Sequence, residues 1–109
     1  MSNVWYDDFA KLDIRGAKII AKEPIEGKSR IIKGKIDLGN DDQRDVIICG
    51  AQYFQPEEIV GKTVIALANL EPKKMAGVES NAMLLAADVD DKPFWLTVEE
   101  DIPLGSPIK

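Results

Sequence analysis

The chain has 109 residues, 45% apolar and 30% charged, with a net charge of −5, one cysteine and no histidine. The missing histidine removes Ser-His-Asp and Cys-His nucleophile systems and the commonest transition-metal ligand, and a single thiol forms neither an internal disulfide nor a cysteine-only zinc site. No apolar run approaches the ~20 residues of a membrane span and the start lacks a signal-peptide pattern, so we expect one cytoplasmic domain with a modest core, no cofactor, no membrane attachment and no enzymatic chemistry.

Residues 4–10 hold Val4, Trp5, Tyr6 and Phe9 among aspartates and read as a short helix within an N-terminal segment, 1–11. Its aromatics need burial, for which a subunit interface is a candidate. Residues 12–21 read as a first strand, with Gly16 marking a bulge or bend. Residues 23–27 form a turn-rich loop. In residues 30–38, Ile32, Gly34, Ile36 and Leu38 share one face and Lys33, Lys35 and Asp37 the other, with Gly34 inside to let the strand bend. Gly39-Asn40-Asp41-Asp42 signals a hairpin, and residues 43–49 return as a third strand. Cys49, in the run Val46-Ile47-Ile48-Cys49, reads as a small core residue.

Pro56-Glu57-Glu58-Ile59 reads as one helical turn, with proline early and acids in the first turn. Residues 62–68 form a fourth strand, residues 69–82 a long loop, and residues 83–87 a fifth strand. Asp88, Asp90 and Asp91 read as a solvated acidic turn rather than a cation site. Residues 94–98 read as a further strand, and residues 103–108 as an extended tail. An all-β chain of five strands, with a short helix between strands 3 and 4 and a C-terminal β extension, outlines a five-stranded OB-fold barrel, with other small barrels as alternatives.

The net negative charge argues against nucleic acid as a ligand, because binders are usually read from a basic balance. Its distribution matters, however. Residues 22–35 hold five basic and two acidic side chains, a local +3 that leaves −8 for the remainder. A positive patch on an acidic body is therefore possible, and the acidic body suppresses indiscriminate binding.

The stretch Asn69-Leu70-Glu71-Pro72-Lys73-Lys74-Met75-Ala76-Gly77-Val78-Glu79-Ser80-Asn81-Ala82-Met83-Leu84-Leu85-Ala86-Ala87 resembles the signature of the tRNA-binding domain family. Leu12-Asp13-Ile14-Arg15, Ile36-Asp37-Leu38-Gly39, Ile47-Ile48-Cys49-Gly50, Pro56-Glu57-Glu58-Ile59-Val60-Gly61-Lys62 and Pro103-Leu104-Gly105 are similar to further family motifs, in order and at family spacing. The family includes the C-terminal domain of methionyl-tRNA synthetases, free-standing homodimeric tRNA-binding proteins and cofactors of eukaryotic synthetases. The resemblance implies an OB barrel over residues 12–109 with a C-terminal dimerisation extension. It also implies a homodimer, tRNA recognised by shape, and an aminoacyl-tRNA synthetase as a possible partner.

It further implies a site. Lys73 and Lys74 project from the 69–82 loop, and Arg30 stands where a lysine is usual at the start of the second strand. Lys28, Lys33 and Lys35 extend that surface, and all six cations suit phosphate contacts. Ser80 and Met83 occupy motif positions associated with tRNA contact. Without the resemblance, the lysines read as a solvated strand face and Met83 as core. Asn69 and Gly77 read as loop-shaping residues, and Tyr53 and Phe54 as core packing beside the short helix rather than base-stacking platforms. Departures weaken the match: Glu71 replaces a usual lysine, Ala76 a usual arginine, and Asn81-Ala82 a usual Glu-Gly. The first two remove about three charge units from the RNA face, so weaker binding than in typical members is expected. The same losses favour an alternative within the family, a chaperone-like or export-related homodimer that binds peptides in an apolar groove.

Overall fold

The structure, a computed structural model, describes residues 2–54 and 56–109. A short helix α1 (Tyr6–Ala10) precedes strands β1 (Ile14–Pro24), β2 (Ile31–Asp37) and β3 (Gln43–Cys49). A 3-10 turn (Ala51–Tyr53), helix α2 (Pro56–Ile59) and β4 (Thr63–Leu67) follow, and then β5 (Lys73–Met75), β6 (Val78–Ser80), β7 (Met83–Leu84), β8 (Ala86–Val89) and β9 (Lys92–Trp95).

Strands β3-β2-β1-β4-β7 form one antiparallel five-stranded sheet. It curls into a nearly closed OB-like barrel, with β6 laid along the free edge of β3. The long β1 makes this possible by serving two neighbours. Its first half pairs with β4 and its second half with β2, with a bulge between Ile19 and Ala21. The bend thus falls after Ile19 rather than at Gly16, where the sequence placed it. Gly16 answers a different need: a Cβ there would stand 2.7 Å from Ile102 Cδ1, so glycine lets the C-terminal segment lie against β1.

Alternation on β2 places Ile32, Gly34, Ile36 and Leu38 inward, as expected. A Cβ on Gly34 would run into the Ile48 side chain, a diagonal neighbour on the adjacent strand β3, so the glycine makes room for that large side chain. Ile19, Ile36, Leu38, Val46, Ile48, Ile59 and Val64 are the largest fully buried side chains, each stabilising the fold by roughly 1.5–3 kcal/mol. Ile59, from α2, joins that core beside the strands.

Three stretches differ from the sequence expectation. The long loop at 69–82 contains a hairpin, β5–β6, turning on Ala76 and Gly77 at φ 53° and 80°. Two successive positive-φ residues make the tight turn that matches strand twist, and alanine at the first position hid it. The fifth strand divides at Leu85, whose N–H donates to Ile65 O at 2.9 Å while its carbonyl accepts from Leu96 N at 3.1 Å. The last strand begins at Lys92, because Asp90 and Asp91 at φ 51° and 67° form a two-residue turn. That acidic turn is capped internally, with Asp91 N–H donating to Asp88 Oδ1 at 2.9 Å.

The tail returns to β1. Gly105 N donates to Gly16 O at 2.8 Å, Gly16 N to Ser106 O at 3.0 Å, and Ile108 N to Ile14 O at 2.8 Å. Helix α1 buries nothing. Val4, Trp5 and Tyr6 are 76%, 82% and 73% exposed. No helix among the described residues is long and apolar enough to cross a membrane.

Candidate nucleic-acid interface

The outer face of β3 is the floor of the site. Because Val46 and Ile48 point inward, Gln43, Asp45, Ile47 and Cys49 point outward. Cys49 is therefore exposed, not the core residue its apolar neighbours implied. The apolar run was misleading because two of its members, Ile47 and Cys49, line a surface groove.

Register builds a row across this face. Glu23 lies opposite Lys33, and Lys33 opposite Ile47. The Ile47 N–H donates to the Ser80 hydroxyl at 3.1 Å, and Ser80 lies opposite Lys73. One residue from each of β1, β2, β3, β6 and β5 thus stands side by side. A neighbouring row runs from Ala21 through Lys35 to Asp45.

The charges in these rows are unequal. Lys33 Nζ lies 3.3 Å from Glu23 Oε1 and 3.7 Å from Asp45 Oδ2, and Lys35 Nζ lies 3.7 Å from Asp45 Oδ1. The Glu23 contact, then the Asp45 charge, hold Lys33 protonated above the usual lysine range. Asp45 Oδ1 is shielded from solvent and accepts no hydrogen bond among the described residues. The β2 lysines therefore already carry counter-ions. Lys28, Arg30, Lys73 and Lys74 have no carboxylate within 4.0 Å among the described residues.

The structure gathers Lys33, Lys35, Lys73, Ser80 and Met83 around the outer face of β3. Lys74, next to Lys73 on β5, is exposed and lies opposite Glu79. Lys28 and Arg30 sit apart, before β2. Lys28 N–H closes a turn on Ile25 O at 3.0 Å, and the Arg30 carbonyl accepts from Gly50 N at 3.0 Å and Ala51 N at 3.1 Å. Ser80 uses its hydroxyl within the fold, accepting from Ile47 N–H and donating to Ala82 O at 3.0 Å. Asn69 shapes its loop as expected, accepting from Asp13 N at 2.9 Å and donating to Lys11 O at 2.7 Å.

Met83 is 43% exposed and lies where two clefts meet. One, of about 470 Å³, runs from Ile47, Cys49 and Met83 towards Pro93 and Trp95. The other, of about 190 Å³, runs from the same three residues to Leu70, Met75 and Lys73. Together they form an apolar trough with Lys73 and Glu71 at one end and Asp88 and Asp91 at the other. Ile47, Cys49, Leu70 and Met75 escape the sequence reading, although the period-two pattern of β3 carried the signal for the first two.

Phe54 packs against the core, its ring centroid 6.5 Å from that of Trp95. Tyr53, read from the sequence as core, is instead 45% exposed, and Lys92 Nζ stands 5.8 Å from its ring centroid and 5.1 Å from that of Phe94. Residues 51–53 form a surface turn, which turns the Tyr53 ring outward.

A basic hairpin beside the β3 face of an OB-like barrel defines a class, a small β-barrel with a candidate polyanion-binding edge. The chain belongs to the family described as "Putative tRNA binding domain", which it matches over residues 14–107. It is 48% identical over 103 residues to the methionine–tRNA ligase of Methanocella arvoryzae, covering 94% of this chain and 15% of that enzyme. The chain thus spans about one-seventh of the length of that relative. Among solved structures, it is similar to a MetRS-related protein from Pyrococcus horikoshii, with TM-score 0.91, 34% identity and both chains fully covered. It is also similar to the CsaA chaperone protein of Picrophilus torridus, with TM-score 0.87, 28% identity, and 98% of this chain and 100% of that one covered.

Proposed function

We propose that the chain binds tRNA by its folded shape, as a methionyl-tRNA synthetase-related binding protein acting in the cytoplasm beside a synthetase. The observation that carries this reading is the exposed Lys73-Lys74 pair, with no carboxylate within 4.0 Å of either ammonium among the described residues, on a hairpin anchored to the outer face of β3. Phosphate neutralisation dominates nucleic-acid affinity, so these two side chains lead the site. Arg30 and Lys28 extend it at the far end of β2. Lys33 and Lys35 contribute once their carboxylate partners are displaced. Met83 offers an adaptable apolar contact, and Ser80 holds the hairpin in register.

Recognition by shape requires contacts at fixed separation, which a rigid barrel edge and an anchored hairpin provide. The expected result is that tRNA is retained in filter binding more tightly than an unstructured RNA of equal length. Equal retention of the two would contradict shape recognition. We also propose a homodimer, because Val4, Trp5 and Tyr6 of the N-terminal segment are exposed apolar side chains that a second copy can cover. Sedimentation of a monomer at micromolar concentration would remove that part.

A second reading, peptide binding in a chaperone-like or export-related homodimer, has one observation in its favour. The trough over Ile47, Cys49 and Met83 is apolar and open on the outer face of β3. Its occupation by peptide would protect the exposed Cys49 thiol from maleimide labelling. Protection by an apolar peptide but not by tRNA would favour this second reading.

A further inference from the structure

The hairpin that bears Lys73 and Lys74 hangs from residues 68 and 81, and one side chain holds both ends. Arg44 Nη1 donates to the carbonyl of Ala68 and, at 3.2 Å, to that of Asn81. The guanidinium is fixed from its other edge by Asp42, with Nε to Oδ1 and Nη2 to Oδ2 both at 3.0 Å. Asp42 in turn faces a second arginine, Arg15 Nη1, at 3.6 Å. Arg15 is braced by Asp13, its Nε donating to Asp13 Oδ1 at 2.9 Å. The backbone of Asp13 completes the frame, its carbonyl accepting from Ala68 N at 2.7 Å and its N–H donating to Asn69 Oδ1.

This arrangement needs arginine. Four hydrogen bonds leave three nitrogens of one planar group in two opposed directions, which a single ammonium cannot reproduce. The side chain is only 24% exposed, so its charge is directed into the protein rather than towards a ligand.

We infer that Arg44 is a positioning residue for tRNA binding. It ties the start and finish of the hairpin segment to the barrel, and so fixes Lys73 and Lys74 relative to the β3 face. This inference rests on the proposed function above. The Asp42–Arg44–Asn81 frame sets where the cations stand, while the cations themselves make the contacts.

The test compares wild type with Arg44→Lys, Arg44→Met and Asp42→Ala. It measures tRNA affinity by fluorescence anisotropy and amide hydrogen exchange over residues 73–80, with β1 and β2 amides as the folding control. Arg44→Lys keeps the charge and loses the fork. It is expected to weaken tRNA binding on the order of tenfold, as much as Arg44→Met does, with faster exchange in the hairpin and unchanged protection in β1 and β2. Asp42→Ala removes a negative charge, so simple electrostatics would strengthen binding to RNA. Loss of positioning weakens it instead, which is the expected result. Wild-type affinity in Arg44→Lys, or tighter binding in Asp42→Ala, would overturn the inference and make Arg44 an ordinary cationic contact. If wild type fails to bind tRNA, the proposed function falls. Hairpin exchange then decides the clamp alone: unchanged exchange in Arg44→Met overturns it, and selective acceleration upholds it. Loss of β1 and β2 protection in all three variants would also overturn it, placing Arg44 in global stability.

Discussion

Ser80 and Ile47 are joined by a side-chain hydrogen bond where a backbone ladder would be expected: the Ile47 amide donates to the Ser80 hydroxyl at 3.1 Å. That bond couples β6 to the edge of β3 and, through the register of β5 with β6, sets the position of Lys73. Ser80→Ala leaves the partly buried Ile47 N–H without its partner. The expected cost is about 1–2 kcal/mol of stability, read by urea denaturation. tRNA affinity should fall as the hairpin loosens, with little change in its salt dependence, because no cation is lost.

Lys33 and Lys73 stand in the same row but differ in their counter-ions. Lys73→Ala is expected to reduce the slope of log affinity for tRNA against log salt by about one. Lys33→Ala should change that slope by clearly less, because Glu23 and Asp45 already neutralise the ammonium. Anisotropy titrations across a salt series measure both. Equal slope changes would mean that RNA displaces the carboxylates completely.

Two glycines separate backbone strain from steric conflict. Gly105 lies at φ 86°, and a Cβ there would collide with the carbonyl oxygen of Leu38. Gly105→Ala is therefore expected to destabilise by about 3 kcal/mol or more. Gly77 lies at φ 80° with open space around it, so Gly77→Ala carries only the left-handed backbone penalty of about 1 kcal/mol. Urea midpoints of the two variants give the comparison.

Acid should weaken the frame beneath the hairpin. A hydrogen bond from Arg15 holds the Asp13 carboxyl below its usual range, and a hydrogen bond from Arg44 does the same for Asp42. Both groups bind protons less readily folded than unfolded. Their stabilisation is complete above the ordinary carboxylate pKa and disappears as pH falls through the depressed folded values. The urea midpoint should hold steady from about pH 7 to 5 and decline from about pH 4 downward. The double variant Asp13→Asn, Asp42→Asn should start lower and decline less steeply.

Much of this architecture is legible in the residues. The alternation of Ile32, Gly34, Ile36 and Leu38 defines the inner face of β2, and Gly39-Asn40-Asp41-Asp42 its turn, because period and turn chemistry are local properties. The motif residues also point to the family to which the chain belongs. What is not legible depends on partners distant in sequence. The hairpin at 73–80 turns on an alanine, a residue that gives no turn signal. Cys49 is outward because β3 has an apolar groove on its solvent side, which reverses the usual meaning of an apolar run. Gly16 reads as a bulge or bend, yet its role depends on Ile102, far along the chain. Nothing local to Arg44 signals its role, which depends on the carbonyls of Ala68 and Asn81, distant in the chain.

The most direct test of tRNA binding through the hairpin is the affinity of tRNA for wild type and for the Lys73→Glu, Lys74→Glu double variant, measured at one low salt concentration. The double reversal alters two exposed side chains outside the core and should leave thermal stability within about 0.5 kcal/mol. The expected result is loss of tRNA binding by a hundredfold or more, on the order of two charge reversals at a phosphate-contacting surface. Unchanged affinity in a folded double variant would contradict it, and would remove the hairpin from the RNA-binding surface.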